Sequence, residues 1–336
     1  MNKVKWGILG AANIAYDEVV PAIRRSINGE VSAIASRNIE RANRFNVPVV
    51  YNNYDDLLND EMINAVYIPL PNAFHKQWIL KALKKKKHVL VEKPATLSVK
   101  DMEEIIVAAE ENKAVFMEAF MYQFHPQHQF VKNLMDSGII GDYLHVKAHF
   151  SFMLNGEEDI RLSRELGGGA FWDVGCYGVH ALTQIIGMKP TQVRMVGKVP
   201  EKYQVDTVSV AFYMDEEGRT AEITASFAGS FLDRYEIFGE KGTIVAEAAF
   251  RPDVTENGEG VVKVLDLKGH ETQRETFAGD QYLQQIEHFQ NAVVNDTEPV
   301  YNGTHSAEVI NCIEKAYQSL YNSSEQVTIK EKSRTY

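Results

Sequence analysis

Two short stretches of the chain carry residue types that could do chemistry, and the first lies at the end of a predicted strand. An apolar run there stops at Glu92, Lys93 and Pro94, one after another. Burying a charge is costly unless the charge is paired or used, so a glutamate and a lysine at a strand tip need a reason. A lysine in this position could stabilise negative charge that develops on a reacting oxygen. The alternative is a solvated pair of loop residues.

The second stretch is "GGGAFWDVGCYGVHAL", residues 167–182. Its glycines predict an irregular entry to a helix, on which Asp173, Tyr177 and His180 follow at helical spacing and share one face. Such a face aims three ionisable groups at one pocket, where a phenol could act as general acid or base. For His180, a buried histidine with a purely structural role is an equal alternative.

These residues need elements to position them, and the first half of the chain alternates strands with helices. Strands are predicted at 4–9, 31–35, 49–50, 65–68, 89–91 and 115–117, and helices at 14–27, 39–45, 55–58, 75–86 and 99–111. Such alternation predicts a doubly wound parallel sheet with helices on both faces.

The pattern changes after about residue 120. Helices are predicted at 127–136, 171–186, 281–295 and 306–321, and strands at 142–152, 192–199, 207–214, 220–227, 235–238, 243–247 and 261–265. Turn signals between the strands predict a mostly antiparallel sheet. We therefore expect a dinucleotide-binding domain over 1–122 and an α+β domain with a large open sheet over 123–336. The sequence leaves open whether the closing helices pack on the first domain.

The composition excludes several classes of protein. The 336 residues carry a net charge of −11, which argues against nucleic-acid binding, because that needs clustered basic residues. No run approaches the roughly 18 apolar residues of a membrane helix. Because the N-terminus is predicted to enter a strand directly, we expect no signal peptide. The two cysteines, Cys176 and Cys312, are far apart and fit a reducing, cytoplasmic location.

The stretch "WGILGAANIA" (6–15) follows the first strand and opens the first helix, which is the context of a dinucleotide-binding turn. Gly10 can supply the tight turn, whereas Ala12 stands where a second glycine usually lets the backbone approach the pyrophosphate. A strand, turn and helix with one glycine is also common without a cofactor. The predicted cofactor-binding residues of this turn are Gly10, Ala12, Asn13 and Ile14.

The end of the second strand bears on the choice between NAD and NADP. NAD sites normally have an acidic residue there, which binds the ribose hydroxyls, but this chain has Ser36 and Arg37. A hydroxyl and a guanidinium would bind a 2′-phosphate, and Arg41 lies one helical turn beyond. These residues favour NADP(H), and NAD is the alternative cofactor. Arg37 could instead be a solvated loop residue with no role in cofactor binding.

The loop "YIPLPNAFH" (67–75) follows the fourth strand, at the sheet edge where ligands bind in open α/β folds. We predict that Leu70, Pro71, Asn72 and His75 contribute to the cofactor site. Capping of the following helix would be a sufficient alternative role for Asn72.

Several motifs in order resemble the Gfo/Idh/MocA oxidoreductases, in particular the branch of dihydrodiol and xylose dehydrogenases. They are "WGILGAANIA", "YIPLPNAFH", the strand–"EKP"–helix segment, "EAFMYQFHP" (118–126) and "GGGAFWDVGCYGVH" (167–180). The likeness extends over nearly the whole chain. It implies a Rossmann domain followed by an open-faced α/β domain, a tightly held NAD or NADP, and sugars, polyols or related alcohols as substrates.

The resemblance also implies roles for individual residues. Lys93 would lie between nicotinamide and substrate and contact the reacting oxygen, with Pro94 cis and Glu92 against the cofactor or hydrogen-bonded in the loop. Tyr177 matches the position of a catalytic Tyr or His, and Asp173 matches a site acid that orients Lys93 or binds a substrate hydroxyl. The predicted catalytic residues are Lys93, Asp173, Tyr177 and His180.

Two further positions concern the substrate side. Gln123 stands in "MYQFHP" where relatives often have Arg, which predicts a changed substrate or merely a changed contact. Arg161, in "DIRLSRELGGG", matches a basic residue of the family near the substrate, and we group it with the predicted cofactor-binding residues. The predicted substrate residues are Gln123, Asp173 and Tyr177.

Three functions are compatible with this resemblance. The expected one is an NADP-dependent oxidoreductase that transfers a hydride between nicotinamide and a CH–OH group of a sugar, polyol or diol, or its carbonyl form. A cofactor-binding sensor that regulates a partner would not need Lys93, Asp173 and Tyr177. A redox-neutral glycoside hydrolase that uses bound NAD is disfavoured by Ser36 and Arg37.

The strands "HVKAHFSF" and "TVSVAFYM" place apolar residues on both faces of the second sheet. An exposed apolar face of that size usually forms an interface, so we expect a homodimer or a dimer of dimers. No metal site is predicted, because the pairs His125/His128 and His145/His149 lack a nearby set of acids or cysteines.

Overall fold

The computed structural model describes residues 3–330 of the chain, which form two compact units. The first unit comprises the described residues up to Phe124 together with Asp280–Ala307. The second comprises His125–Gly279 and the described residues from Glu308 onward. Each unit has its own sheet, and the chain enters the first unit twice.

The first unit contains a parallel sheet of six strands, as the alternating pattern predicts. The strands are β1 (Val4–Leu9), β2 (Gly29–Ala35), β3 (Val49–Tyr51), β4 (Ala65–Ile68), β5 (His88–Val91) and β6 (Phe116–Glu118). They are ordered β3-β2-β1-β4-β5-β6, which is the strand order of a dinucleotide-binding sheet. The helices between them are α1 (Val20–Arg25), α2 (Ile39–Asn43), α3 (Tyr54–Asn59), α4 (His75–Lys84) and α5 (Val99–Asn112).

Local sequence accounts for these elements. Every residue of β4 is buried, which is the continuous apolar pattern of a strand covered on both faces. Three helices begin at a side-chain cap, because Asn38, Asn53 and Ser98 each accept a hydrogen bond from the backbone N–H three residues later. A turn of π-helix, Ala15–Val19, precedes α1.

The second unit contains a nine-stranded sheet. Its strands are β7 (Tyr143–Met153), β8 (Gln192–Lys198), β9 (Val208–Met214), β10 (Thr220–Ser226), β11 (Ala228–Gly239), β12 (Thr243–Glu247), β13 (Glu259–Leu265), β14 (Glu271–Ala278) and β15 (Val327–Thr328). They are ordered β14-β13-β12-β11-β7-β10-β9-β8-β15, with β7 and β10 parallel and the other neighbouring strands antiparallel. The predicted fold class, a doubly wound parallel sheet plus a large, mostly antiparallel one, is confirmed.

One face of this second sheet is buried and the other is open. Along β10, Ala221, Ile223 and Ala225 are buried, while Glu222 and Thr224 between them are partly exposed. This alternation is that of a sheet with helices on one face. Those helices include α6 (Pro126–Asp136) and α7 (Cys176–His180).

The strand β14, at one edge of the second sheet, was not predicted from the pattern of apolar residues. β14 has the sequence "ETQRETFA" and is exposed at most positions, so it carries no apolar alternation for a pattern to detect. It exists because its backbone pairs with β13. The helix predicted over 171–186 is also not regular, since α7 lies between two π-helical turns, Phe171–Gly175 and Ala181–Ile185.

The closing helices are α8 (Gln281–Asn295) and α9 (Gly303–Tyr321). α8 belongs to the first unit: its Phe289 ring lies 5.0 Å from the ring of Trp6 on β1, and Gln290 Nε2 donates to Ser26 Oγ at 3.0 Å. Over residues 3–330, no helix combines the length and the apolar character needed to cross a bilayer.

Candidate active site

The glycine turn after β1 has the geometry of a backbone cradle. Gly10 has a φ of 118°, a conformation that only glycine adopts readily. A Cβ at this position would lie 2.9 Å from Leu70 Cδ2, so the turn after β1 and the loop after β4 approach closely at the carboxyl ends of the strands. Ala12 follows within this turn, and Asn13 and Ile14 begin the helical segment that leads to α1.

The residues at the tip of β2 lie beside that turn. Arg41 Nη2 donates to Asn13 Oδ1 at 3.1 Å, which joins the segments after β1 and β2. Ser36 is buried, and its Oγ accepts from the Asn38 amide at 3.0 Å. Arg37 is exposed; its guanidinium lowers the pKa of Tyr54 against the larger raising effect of burial. The three residues predicted to bind a 2′-phosphate, Ser36, Arg37 and Arg41, therefore lie at the tip of β2 and in the segment that follows it.

The loop after β4 leads into α4 through one 3₁₀ turn, Asn72–Phe74. The N-cap position of α4 is Phe74, so the alternative in which Asn72 caps this helix is wrong. Leu70, Pro71 and Asn72 are partly exposed, whereas His75 is fully buried. Its ring nitrogens lie 2.8 Å from the carbonyl oxygen of Pro94 and 2.7 Å from that of Leu70. His75 therefore contacts backbone behind the predicted cofactor loops.

Lys93 lies directly after β5, half-buried, and its peptide bond to Pro94 is cis, as the resemblance implies. Tyr67 on β4 donates its hydroxyl to Glu92 Oε1 at 2.5 Å. The resemblance implies either contact with the cofactor or a hydrogen bond within the protein for Glu92. The structure shows such a hydrogen bond.

Glu118, the last residue of β6, is a site residue that sequence reasoning missed. It is fully buried, and its carboxylate accepts from the Ala95 amide at 2.7 Å and from the Tyr301 hydroxyl at 3.2 Å. Burial raises the pKa of Glu118 to about 7. An acid that ends an apolar strand, the same signal that singled out Glu92, could have identified it.

In the second unit, Arg161 and Asp173 form an ion pair. Arg161 Nε donates to Asp173 Oδ2 at 2.9 Å, and its Nη1 lies 3.3 Å from Asp159 Oδ1. Asp173 raises the pKa of Arg161. Arg161 therefore pairs with a predicted substrate residue in the second unit, whereas the other residues predicted to bind the cofactor lie in the first unit.

Tyr177 and His180 are both buried on α7. The Tyr177 ring packs against those of Phe150 and Phe250, with centroids 5.4 and 5.5 Å away. α7 can approach the sheet because Gly178 has no side chain: a Cβ there would lie 2.6 Å from Ile223 Cγ2. The π-helical turn before α7 changes the angular relation between Asp173 and Tyr177 that ideal helical spacing predicts, and such turns are frequent at functional sites.

Asp206 anchors the start of this helical segment and was not predicted. Its carboxylate accepts from the Phe171 amide at 2.9 Å, from Ser209 Oγ at 2.7 Å and from the Tyr317 hydroxyl at 2.6 Å. Burial raises the pKa of Asp206. Because Asp206 and Tyr317 are distant from residue 171 in the chain, no local pattern could have found them.

The remaining predicted site residue, Gln123, lies in the first unit. Its Nε2 donates to the carbonyl oxygen of Phe120 at 3.2 Å. Within the described part of the chain, no group of three or more His, Cys, Asp or Glu side chains is arranged to hold a metal ion.

Two parts of the chain match known domain families. Residues 4–120 match the GFO/IDH/MocA oxidoreductase family with its NAD-binding Rossmann fold, and residues 128–245 match a GFO/IDH/MocA C-terminal domain. The chain belongs to the GFO/IDH/MocA oxidoreductase family. The resemblance drawn from the sequence motifs is therefore confirmed, and so is the expectation of an oxidoreductase.

Individual relatives cover nearly the whole chain. A dTDP-3,4-didehydro-2,6-dideoxy-alpha-D-glucose 3-reductase of Actinomadura kijaniata is 33% identical over 89% of this chain and 90% of its own length. An NADP(+)-dependent D-xylose 1-dehydrogenase of Haloferax volcanii is 34% identical over 94% of this chain and 96% of its own.

The structure of this GFO/IDH/MocA chain also superposes on solved structures. A Tyr-to-Phe mutant of a 3-ketoreductase from Actinomadura kijaniata, in complex with TDP-benzene and NADP, gives a TM-score of 0.89 at 30% sequence identity. The match covers 95% of this chain and 98% of that one.

Proposed function

We propose that this GFO/IDH/MocA protein is an NADP-dependent oxidoreductase that transfers a hydride between nicotinamide and a CH–OH group of a sugar, polyol or diol, or its carbonyl form. The observation that carries the proposal is Lys93. Its ammonium lies at the carboxyl end of β5, on the sheet edge where dinucleotides bind in such folds, at the start of a turn whose backbone is held by buried side chains.

The residues of the first unit fit NADP(H). The cradle at Gly10 admits no Cβ, which suits close approach of a pyrophosphate, and Ser36, Arg37 and Arg41 offer donors for a 2′-phosphate. In the proposed site, Ala12 belongs to the same turn, Asn13 and Ile14 to the start of the helical segment after it, and Leu70, Pro71 and Asn72 to the neighbouring loop. NADP(H), when bound, supplies or accepts the hydride.

The protein's own residues manage the proton and the charge. Oxidation of a CH–OH group removes the hydroxyl proton, and reduction of the carbonyl adds one. The Lys93 ammonium favours the alkoxide-like transition state between them, and the Tyr177 phenol passes the proton as general acid or base. Asp173, held by Arg161, binds a substrate hydroxyl.

The related 3-ketoreductase supports this assignment of roles. Its solved variants replace one lysine and one tyrosine, and these two positions are separated in that chain by the same number of residues as Lys93 and Tyr177. His180, fully buried on the same helix, is proposed as a further group of the catalytic segment.

A substrate screen tests the function. NADPH or NADP⁺ absorbance is followed with aldoses including D-xylose, their polyols, trans-diols and dTDP-linked keto sugars. Net turnover of NADP(H) with one of these classes is expected. Binding of NADPH without turnover of any compound would point instead to a sensor, and glycoside cleavage without net reduction would point to a redox-neutral hydrolase.

Cofactor choice gives a separate prediction. Arg37→Ala should weaken NADPH binding at least about tenfold, because a charge-assisted hydrogen bond contributes roughly 1.5–3 kcal/mol, and should leave NADH binding nearly unchanged. Fluorescence titration of both cofactors measures this, with Arg25→Ala as the control, since Arg25 pairs with Asp280 on the surface. Equal affinity of the wild type for NADPH and NADH would contradict the NADP assignment.

We also propose that the open face of the second sheet forms a homodimer, or a dimer of dimers, in a cytoplasmic setting. On that face Phe212 is 46% exposed, and Arg234, Thr243 and Lys263 line a groove of about 600 Å³.

Light scattering at micromolar concentration is expected to give twice or four times the chain mass for the wild type. Phe212→Glu should shift the measured mass toward that of the monomer, because it is costly to bury a carboxylate in an interface without a partner. Val107→Glu, an equally exposed position on α5, is the control. A monomeric wild type would rule out the dimer.

A further inference from the structure

One peptide group, between Pro94 and Ala95, is held from both sides by buried ionisable side chains. Its carbonyl oxygen lies 2.8 Å from His75 Nδ1, and its amide donates to Glu118 Oε1 at 2.7 Å. His75 and Ala95 are 0% exposed, and Glu118 is 1% exposed. This peptide lies one residue beyond Lys93, next to the cis Lys93–Pro94 bond, so its orientation helps to set the path of the turn that carries Lys93 away from β5.

The contacts extend beyond the peptide on each side. His75 Nε2 faces the carbonyl oxygen of Leu70 at 2.7 Å, and Glu118 Oε2 accepts from the Tyr301 hydroxyl at 3.2 Å. A continuous chain of polar contacts therefore runs from the loop after β4, through the Pro94–Ala95 peptide, to the segment before α9. All of these residues belong to the first unit.

We propose that His75 and Glu118 are positioning residues that clamp the Pro94–Ala95 peptide and thereby hold Lys93 in its reactive orientation. The catalytic part of this inference rests on the proposed function of Lys93. The clamp itself consists of hydrogen bonds, and these can be tested by NMR without any measurement of activity.

The proton on His75 can be assigned by physical argument. Carbonyl oxygens only accept, so each ring nitrogen needs a proton to bond its carbonyl, and both bonds together need an imidazolium. Burial, with a smaller contribution from the Lys93 ammonium, lowers the pKa of His75 to about 4, so at neutral pH the ring carries one proton. Hydrogen bonds in series polarise each other. The Pro94 oxygen is the stronger acceptor, because the amide of the same peptide donates to a carboxylate, and we therefore assign the proton to Nδ1.

The charge on Glu118 acts on Lys93. Burial raises the pKa of Glu118 to about 7, against the lowering effects of the hydrogen bonds from the Ala95 amide and the Tyr301 hydroxyl and of the charge of Lys93. Tyr122 is a further titratable group beside Tyr301. By reciprocity, an ionised Glu118 favours the charged form of Lys93, so removal of the carboxylate should lower the pKa of Lys93.

Two substitutions at His75 separate the two ring contacts. The Asn side-chain nitrogen is as many bonds from Cα as Nδ1, and the Gln nitrogen is as many bonds from Cα as Nε2. His75→Asn can therefore still donate to Pro94, whereas His75→Gln can donate only to Leu70. We expect both variants to lose activity, with kcat of His75→Gln at least tenfold below kcat of His75→Asn.

A buried histidine elsewhere serves as the control. His128 has the same kind of surroundings, with its ring nitrogens 2.9 Å from the Tyr235 hydroxyl and from the Ala249 carbonyl oxygen. His128→Asn and His128→Gln should lower stability without separating in kcat. Equal kcat values for His75→Asn and His75→Gln, on an enzyme that turns over its substrate, would overturn the catalytic part of the proposal.

NMR on the wild type and on Glu118→Gln completes the test. The ¹⁵N spectrum of the His75 ring should show Nδ1 protonated and Nε2 unprotonated at pH 7, and the Ala95 amide proton should move upfield in Glu118→Gln. In the same variant, the basic limb of the kcat profile should shift to lower pH while NADPH affinity stays unchanged. A protonated Nε2 or an unmoved Ala95 amide would refute the clamp even if no substrate were found, whereas a failed substrate screen with these signals present would refute only the proposed function.

Discussion

Lys93→Met is expected to lower kcat by at least about 10²–10⁴, with NADPH affinity retained. The substitution keeps an unbranched side chain of similar length but removes the cation that stabilises charge on the reacting oxygen, and electrostatic stabilisation of this kind is usually the largest single contribution to catalysis. Steady-state kinetics on the substrate found by the screen, together with fluorescence titration of NADPH, measure both quantities.

The matched control for Lys93→Met is Lys76→Met on the surface of the same unit. Lys76 pairs with Asp101 at 2.6 Å and with Glu104 at 2.7 Å, and exposed ion pairs contribute about 0–1 kcal/mol. Lys76→Met should therefore leave kcat unchanged. If Lys93→Met retained kcat within threefold of wild type, Lys93 would be a structural residue of the turn and the proposed chemistry would fail.

Tyr177→Phe is expected to lower kcat by about 10²–10⁴, which is the usual effect of a positioned general acid or base. The ring packs against Phe150 and Phe250, and phenylalanine keeps those contacts, so stability and NADPH affinity should change little. Tyr213→Phe is the control: it removes another buried hydroxyl, which donates to the Cys312 carbonyl at 3.2 Å, and should cost about 1 kcal/mol of stability without loss of kcat.

The double variant, Lys93→Met with Tyr177→Phe, tests whether the two groups serve one proton transfer. Groups that act as a unit are strongly non-additive, so the double variant should be far less impaired than the product of the two single effects. A Tyr177→Phe enzyme within threefold of wild type would reject Tyr177 as acid or base and transfer that role to Lys93 or His180.

Local sequence determined much of the first unit. The strand over Val4–Leu9, the strand over Ala65–Ile68 and the helix that starts at His75 have the predicted starts, because their apolar periodicity and flanking turns depend on neighbours in the chain. The same holds for the tips of these strands. Gly10, Ser36 and Lys93 could be singled out because each is an unusual residue type at a strand end, where parallel sheets place their ligands.

Tertiary structure decided what depends on residues distant in sequence. β14 has no apolar pattern and exists through its pairing with β13, and α8 belongs to the first unit through contacts such as Phe289 with Trp6.

The supports of the site have the same origin. Glu118 meets Ala95 and Tyr301, and Asp206 meets Phe171 and Tyr317, across long stretches of chain. The sequence by itself therefore determined which side chains can be proposed as reactive groups, because their chemistry is a property of single side chains. Only the folded chain determined which buried partners hold them, because a hydrogen bond requires two groups to meet and spacing along the chain does not encode that meeting.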